Sequence, residues 1–283
     1  MRTSLLTVEV PMPKIQANDV ELYYELHGPE SADVLVLSNG VFANTQSWVY
    51  QKPVLSRHFR LLLYDCRGQG QSEHPAGPYS MEMHADDLKG LLDALGIAQA
   101  HIGGISYGGE ISLIFGYRYP EATKSVIAVS AVSQVDPLLR GIIEGWKIAV
   151  ALRDGEKFFW LTHTDNFSEG WIARNWAFLQ ASIPRYQALD FDAALCLLDS
   201  FLGLNITGEL QRIKAPTLIV CGEKDTLKPR QYAEMIVREI PQAEFVLIPD
   251  AGHAVMWEKP EVLNSVILGF LLKQIGPGES GNR

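Results

Sequence analysis

The chain has 283 residues, 47% of them hydrophobic and 20% charged, with mean hydropathy near zero, which is the make-up of a globular protein rather than a disordered or fibrous one. One large α/β domain, or such a domain carrying an insertion, is expected, because single cores stop growing at roughly 250 to 300 residues. Acidic residues outnumber basic ones 33 to 24, for a formal charge of −9, and no Lys/Arg run could neutralise a row of phosphates, so nucleic acid is not an expected partner.

At the start, Leu5-Leu6 is followed by Glu9 and Pro11, which is not the apolar core of a secretory signal. No window nears the roughly 18 apolar residues of a membrane helix, so no membrane partner and a cytoplasmic location are expected. Cys66, Cys196 and Cys221 are odd in number, widely spaced and set among apolar neighbours, and read as buried free thiols of a reducing compartment.

Along the chain, short apolar runs alternate with longer helical patterns, the signature of βαβ units and a mostly parallel sheet. Val20 to His27 alternates as a strand. Val34 to Ser38, Arg60 to Asp65, Ala100 to Ile105 and Ser125 to Ala131 are short and nearly continuous in apolar residues, as strands covered on both faces are. Ser80 is placed to cap a helix whose Leu88, Leu91, Leu92 and Leu95 share one face, with Gly96 to end it. From about Val135 to Gly208 the pattern is helical without strands, and 11 of these 74 residues are aromatic, among them Trp146, Trp160, Trp171 and Trp176. This stretch is expected to be a helical insertion dividing a core of residues 1–134 and 209–283. Its large side chains serve mainly to build a small core of their own, while a few could line an apolar pocket. Sheet pattern resumes at Pro216 to Gly222, followed by a helix over Arg230 to Ile240, a strand over Glu244 to Pro249, a last helix over Pro260 to Ile275 and a frayed tail over 276–283.

The sharpest motif is Gly104-Ile105-Ser106-Tyr107-Gly108. Its context carries the weight: the strand ending at Ile105 runs straight into Ser106, and a helix over Tyr107 to Tyr119 follows, stopped before Pro120. A serine on such a turn has a strained backbone that pushes Oγ out of the sheet, and flanking glycines are needed where a Cβ would collide. A serine hydroxyl is a weak nucleophile and needs a base, which in turn needs an acid to hold its tautomer. Asp225 lies in the loop past one apolar strand and His253 in the loop past the next. Glu223 and Asp250 compete with Asp225, which is preferred because Glu223 lies closer to the strand and Asp250 only three residues from His253. The other histidines (His27, His58, His74, His84, His101, His163) read as surface residues, and Glu110 as a partner of the helix dipole after Ser106.

Taken with Tyr64-Asp65-Cys66-Arg67-Gly68-Gln69-Gly70-Gln71-Ser72, with Gly222-Glu223-Lys224-Asp225 and Pro229, and with Ala251-Gly252-His253 and Glu258-Lys259-Pro260, the chain resembles the α/β-hydrolase superfamily over nearly its whole length. The resemblance implies a mostly parallel sheet with helices on both faces and an inserted helical cap. It also implies a Ser106, Asp225, His253 triad, and an oxyanion hole made by the backbone N–H groups of Tyr107 and Val41, with Phe42 as the substitute for the second. Where most relatives carry His-Gly this chain has Ser38-Asn39-Gly40-Val41, and it has Gln69 where the D-x-R-G-x-G turn commonly has His. Ser-Asn in that loop looks like the 3-oxoadipate enol-lactonases, whereas Asn39-Gly40 with Thr45 and Ser47-Trp48 looks like hydroxyacyl transferases. A serine in place of an aspartate nucleophile counts against dehalogenase and epoxide-hydrolase chemistry. No HExxH or Cys/His cluster suggests zinc and no GxGxxG follows a strand, so no cofactor is expected. The expected activity is that of a carboxylesterase- or lactonase-like serine hydrolase acting on a small ester or lactone with a hydrophobic part. A hydroxyacyl or thioester transferase, or a slow-turnover ligand receptor on the same fold, is the alternative.

Overall fold

The computed structural model describes residues 13–274. The expectations for the first residues and for the tail lie outside them. Eight strands, β1 (Lys14–Ala17), β2 (Val20–His27), β3 (Val34–Ser38), β4 (Arg60–Tyr64), β5 (Ala100–Ile105), β6 (Thr123–Val129), β7 (Thr217–Gly222) and β8 (Glu244–Ile248), form one sheet in the order β1-β2-β4-β3-β5-β6-β7-β8. The β1–β2 and β2–β4 pairs are antiparallel and every later pair is parallel. β1 was not expected: its four residues carry too little apolar signal, and it exists because β2 offers it an edge to pair with.

The parallel strands are apolar throughout because both sheet faces are covered. Along β3, Val34 and Val36 join one hydrophobic core while Leu35 and Leu37 join the other, and the same alternation separates Leu62 from Leu61 and Leu63, Val126 and Ala128 from Ile127 and Val129, and Ile219 from Leu218 and Val220. On one face lie α2 (Met81–Ala94), α3 (Tyr107–Arg118) and α9 (Arg230–Glu239). On the other lie α1 (Lys52–Leu55), α10 (Val255–Glu258) and α11 (Pro260–Gln274). Ser80 Oγ accepts from the Met83 N–H at 3.1 Å, which caps α2. β6 begins two residues before the expected Ser125 and stops at Val129, where Ser130 turns to φ +49°.

Between β6 and β7 the chain forms α4 (Pro137–Ala151), α5 (Gly155–Thr162), α6 (Glu169–Arg174), α7 (Trp176–Gln187) and α8 (Phe191–Leu202), and an isolated bridge between Gln134 and Asn205 ties the two ends of the segment together. The starts of α4, α5, α6 and α8 are set by side-chain caps from Asp136, Asp154, Ser168 and Asp190. Trp146 and Phe158 are buried in the hydrophobic core, whereas Trp160, Trp176 and Phe178 are 39–49% exposed. Cys66 and Cys221 are buried and unpaired, and burial pushes both thiols up to about 12. Cys196, expected to be buried, is only half-buried. No helix of the described residues is long and apolar enough to cross a membrane.

Candidate active site

The C-terminal ends of β5, β7 and β8 meet at one rim of the sheet, where open parallel sheets gather their functional loops. Ser106 follows β5 directly and caps α3 with φ +55° and ψ −122°, a backbone conformation that costs a side-chain-bearing residue about 1–3 kcal/mol. The strain is held by neighbours. The Ser106 N–H donates to the Val129 carbonyl at 2.8 Å, and its own carbonyl accepts from the Gly109 and Glu110 N–H groups. Two glycines are forced by proximity: a Cβ on Gly104 would lie 2.2 Å from the Gly108 carbonyl oxygen, and one on Gly108 would lie 2.1 Å from that of Ser38. The hydroxyl therefore stands on a turn whose tightness requires glycine at 104 and 108.

The carboxylate against the His253 imidazole is that of Asp225, whose Oδ2 lies 2.8 Å from Nδ1. Asp225 Oδ1 accepts from the Lys228 backbone N–H at 2.7 Å, so its orientation is fixed from both oxygens. The competitors point elsewhere. Glu223 accepts from the Asp250 N–H, and Asp250 pairs with Lys224 at the surface. The His253 loop is anchored by its carbonyl, which accepts from Ser130 Oγ at 3.0 Å. It is also anchored by Glu258, which accepts from both the N–H and the hydroxyl of Ser168 at the start of α6. Gly252 must be glycine here, since a Cβ would meet the Ser168 nitrogen at 2.4 Å.

Ser106 and His253 line one cavity of about 220 Å³, walled by Val41 and Phe42 from the loop after β3, Trp146, Phe158 and Tyr186 from the inserted helices, and Met256 and Trp257 from α10. Phe42 sits edge-on to Phe158 at 5.1 Å, so the loop and the insertion close on each other through their aromatic rings. A second, narrower pocket lies at Ser106 as well and is bordered by Val41, Tyr107, Phe201 and Lys228. The Tyr107 N–H is the first of α3 and has no acceptor within its helix.

The loop after β3 is fixed from beneath. Asn39 donates to the Tyr64 carbonyl at 2.8 Å and accepts from Trp48 Nε1 at 2.9 Å. Asp65 accepts the Thr45 N–H on one oxygen and the Gln71 N–H on the other, both at 2.8 Å. Burial nevertheless raises the Asp65 carboxyl to about 6. The Ser-Asn and D-x-R-G-x-G strings are thus two halves of one buried hydrogen-bond network that shapes the Val41-Phe42 wall.

Sequence reasoning missed Lys228 and its pairing with Glu110. Glu110 lies in the first turn of α3, where the helix dipole favours a carboxylate, and is fully buried. It accepts from the Val132 N–H at 2.7 Å and from Lys228 Nζ at 2.9 and 3.0 Å on its two oxygens. Desolvation raises its carboxyl, against the pull of Lys228. Lys228 Nζ also lies 3.2 Å from Ser106 Oγ. Among the described residues this is the side-chain hydrogen bond that Ser106 makes; its hydroxyl is not bonded to His253. The available signal was a Lys flanked by Leu227 and Pro229 and a Glu inside a helix rich in apolar residues. Three of the histidines expected at the surface are also buried: His84, His101 and His163. His163 stacks on Phe159 at 4.5 Å and lines the cavity.

A sheet of this order carrying a strained serine on the strand-to-helix turn, with an Asp–His pair on the next two loops of the same rim, is the architecture of the α/β hydrolases. A profile of the alpha/beta hydrolase fold matches residues 33–260, and the chain belongs to that family, a hydrolase by class. It is 29% identical over 266 residues to a protein of Azorhizobium caulinodans provisionally named carbamate hydrolase RutD, covering 92% of this chain and 98% of that one. Among solved structures, it resembles the α/β hydrolase MGS-M2 from a Medee basin deep-sea metagenome at 31% identity and a TM-score of 0.87, covering 92% of this chain and 97% of that one. It resembles the enol-lactonase of Burkholderia xenovorans LB400 at 26% identity and a TM-score of 0.83, covering 92% of this chain and all of that one.

Proposed function

We propose that the protein is a serine hydrolase that cleaves a small carboxylic ester or lactone through an acyl-enzyme on Ser106. The observation that carries this reading is that the Ser106 hydroxyl and the His253 imidazole face one cavity, with Asp225 fixing the imidazole from behind at 2.8 Å. His253 donates from Nδ1 to Asp225, which leaves Nε2 free to accept a proton. In this mechanism Oγ comes within hydrogen-bond reach of Nε2 when substrate is bound. Oγ then attacks the carbonyl carbon as its proton passes to His253, and the resulting imidazolium protonates the leaving alcohol. Water activated by His253 releases the acyl group. The backbone N–H groups of Tyr107 and Val41 hold the oxyanion, with Phe42 as the substitute donor if the loop after β3 shifts. Residues 135–208 act as a cap over this site, and its Trp146, Phe158 and Tyr186 select for a hydrophobic substrate part.

The similarity to proteins named for carbamates adds one substrate to test, since a carbamate carbonyl is open to the same attack. The experiment is to treat wild-type protein and Ser106→Ala with a serine-directed fluorophosphonate, then compare p-nitrophenyl esters of graded chain length, simple lactones and alkyl carbamates. Labelling confined to wild type and hydrolysis lost in the alanine variant are expected. An alanine variant that hydrolyses as fast as wild type would refute the mechanism, and preferential transfer to an added alcohol or thiol over hydrolysis would assign the chain to the transferases instead.

A further inference from the structure

We infer that Lys228 is a fourth catalytic side chain, whose ammonium group stabilises negative charge on Ser106 Oγ as the acyl-enzyme forms and breaks. The inference rests on Ser106 being the nucleophile. An ammonium carries three N–H donors and no acceptor. Here those donors meet Glu110 Oε1 at 2.9 Å, Glu110 Oε2 at 3.0 Å and Ser106 Oγ at 3.2 Å. The group is 3% exposed and packed over the Phe201 ring at 4.7 Å, so water does not compete for it. Its backbone N–H is tied to Asp225, which sets the lysine and the acid of the Asp–His pair on one short loop.

The direction of the hydrogen bond decides its use. Because Lys228 can only donate, Oγ accepts, and the serine keeps its own proton to give to His253. In acylation the Oγ–H bond breaks, its proton goes to His253 Nε2, and Oγ bonds to the carbonyl carbon. In deacylation the Oγ–carbon bond breaks and the proton returns from His253. In both steps charge builds on Oγ in the transition state, and a hydrogen bond from a desolvated ammonium strengthens as that charge grows. Both oxygens of Glu110 hold Lys228 Nζ in place beneath Oγ. The pair adds no net charge to the site, so the field at Oγ is local and directed.

The test replaces the ammonium without stranding its partner. Both Lys228→Met and the double variant Glu110→Gln/Lys228→Met are made, the second because it leaves no buried carboxylate unpaired if the single variant does not fold. The fluorophosphonate labelling rate per folded molecule, and kcat and KM for the best ester, are then measured. Loss of a donor that acts mainly in the transition state lowers the labelling rate and kcat by about 10²-fold with KM little changed. A merely structural lysine would lower the melting temperature and leave the rate per folded molecule alone. Wild-type labelling rate and kcat in the folded double variant would overturn the inference while leaving the nucleophile intact. Failure of wild type to label at Ser106 would instead overturn the serine mechanism itself.

Discussion

Ser106 stands between two buried acid–base pairs, Asp225–His253 on one side and Glu110–Lys228 on the other, both bonded at 2.8–3.0 Å. They differ in what their bases can do. An imidazole has one ring nitrogen that can donate and another that can accept, so the first pair is built to relay a proton. An ammonium in contact with a carboxylate keeps its charge, so the second pair is a fixed dipole whose removal leaves an uncompensated ion. On the proposed mechanism the first pair carries the proton and the second positions charge at Oγ.

The largest effect is expected where the two pairs meet. Ser106→Ala should abolish fluorophosphonate labelling and lower kcat for the best ester by on the order of 10⁴- to 10⁶-fold, measured by active-site titration and steady-state kinetics. Next, Asp225→Asn should lower kcat by roughly 10⁴-fold, because the amide presents the wrong partner to Nδ1. It should do so with a smaller loss of stability than the corresponding change in the other pair. Glu110→Gln should destabilise the fold by about 3–5 kcal/mol, read as a lower urea midpoint, because it strands the buried Lys228 charge. Adding Lys228→Met to it should restore most of that stability, since a buried ion pair replaced by neutral groups is often tolerated. If Asp225→Asn costs as much stability as Glu110→Gln, the division between a proton-carrying and a charge-positioning pair is wrong.

A buried base with no partner at all sharpens the contrast. Neither ring nitrogen of His84 has a hydrogen-bond partner among the described residues, and burial, helped by the Arg67 charge, lowers its pKa to about 3. Between pH 3 and about 6.5 the unfolded chain therefore binds a proton that the folded chain refuses. This group's contribution to stability is whole above about 6.5 and is lost as pH falls towards 3, by at most about 1.4 kcal/mol per pH unit. Asp65 acts in the opposite sense. Its carboxyl, raised to about 6, is protonated in the fold before it is in the unfolded chain, so it adds stability as pH falls from about 6 towards the ordinary carboxylate range. His84→Leu should accordingly lose less stability than wild type between pH 7 and pH 5, and Asp65→Asn more. Urea midpoints at the two values check both.

The sequence alone determined the features that repeat or that tolerate no substitute. Unbroken burial along Val34 to Ser38 and Thr217 to Gly222 follows from a sheet covered on both faces. Ser80 could be read as a cap because a side-chain oxygen three residues before an orphan N–H is a local matter. The glycines around Ser106 were equally legible, since the collision each avoids is with its own turn or the strand beside it. Only the tertiary structure could decide the rest. Glu110 and Lys228 lie 118 residues apart, and although each interrupts apolar neighbours, nothing local to either names its partner. The same holds for His84 and His163, whose burial depends on what the surrounding helices cover, and for β1, which exists by virtue of its neighbour's open edge. Local chemistry writes itself into adjacent residues, whereas the solvation of a charge depends on the whole fold around it, and that environment is absent until distant segments have packed.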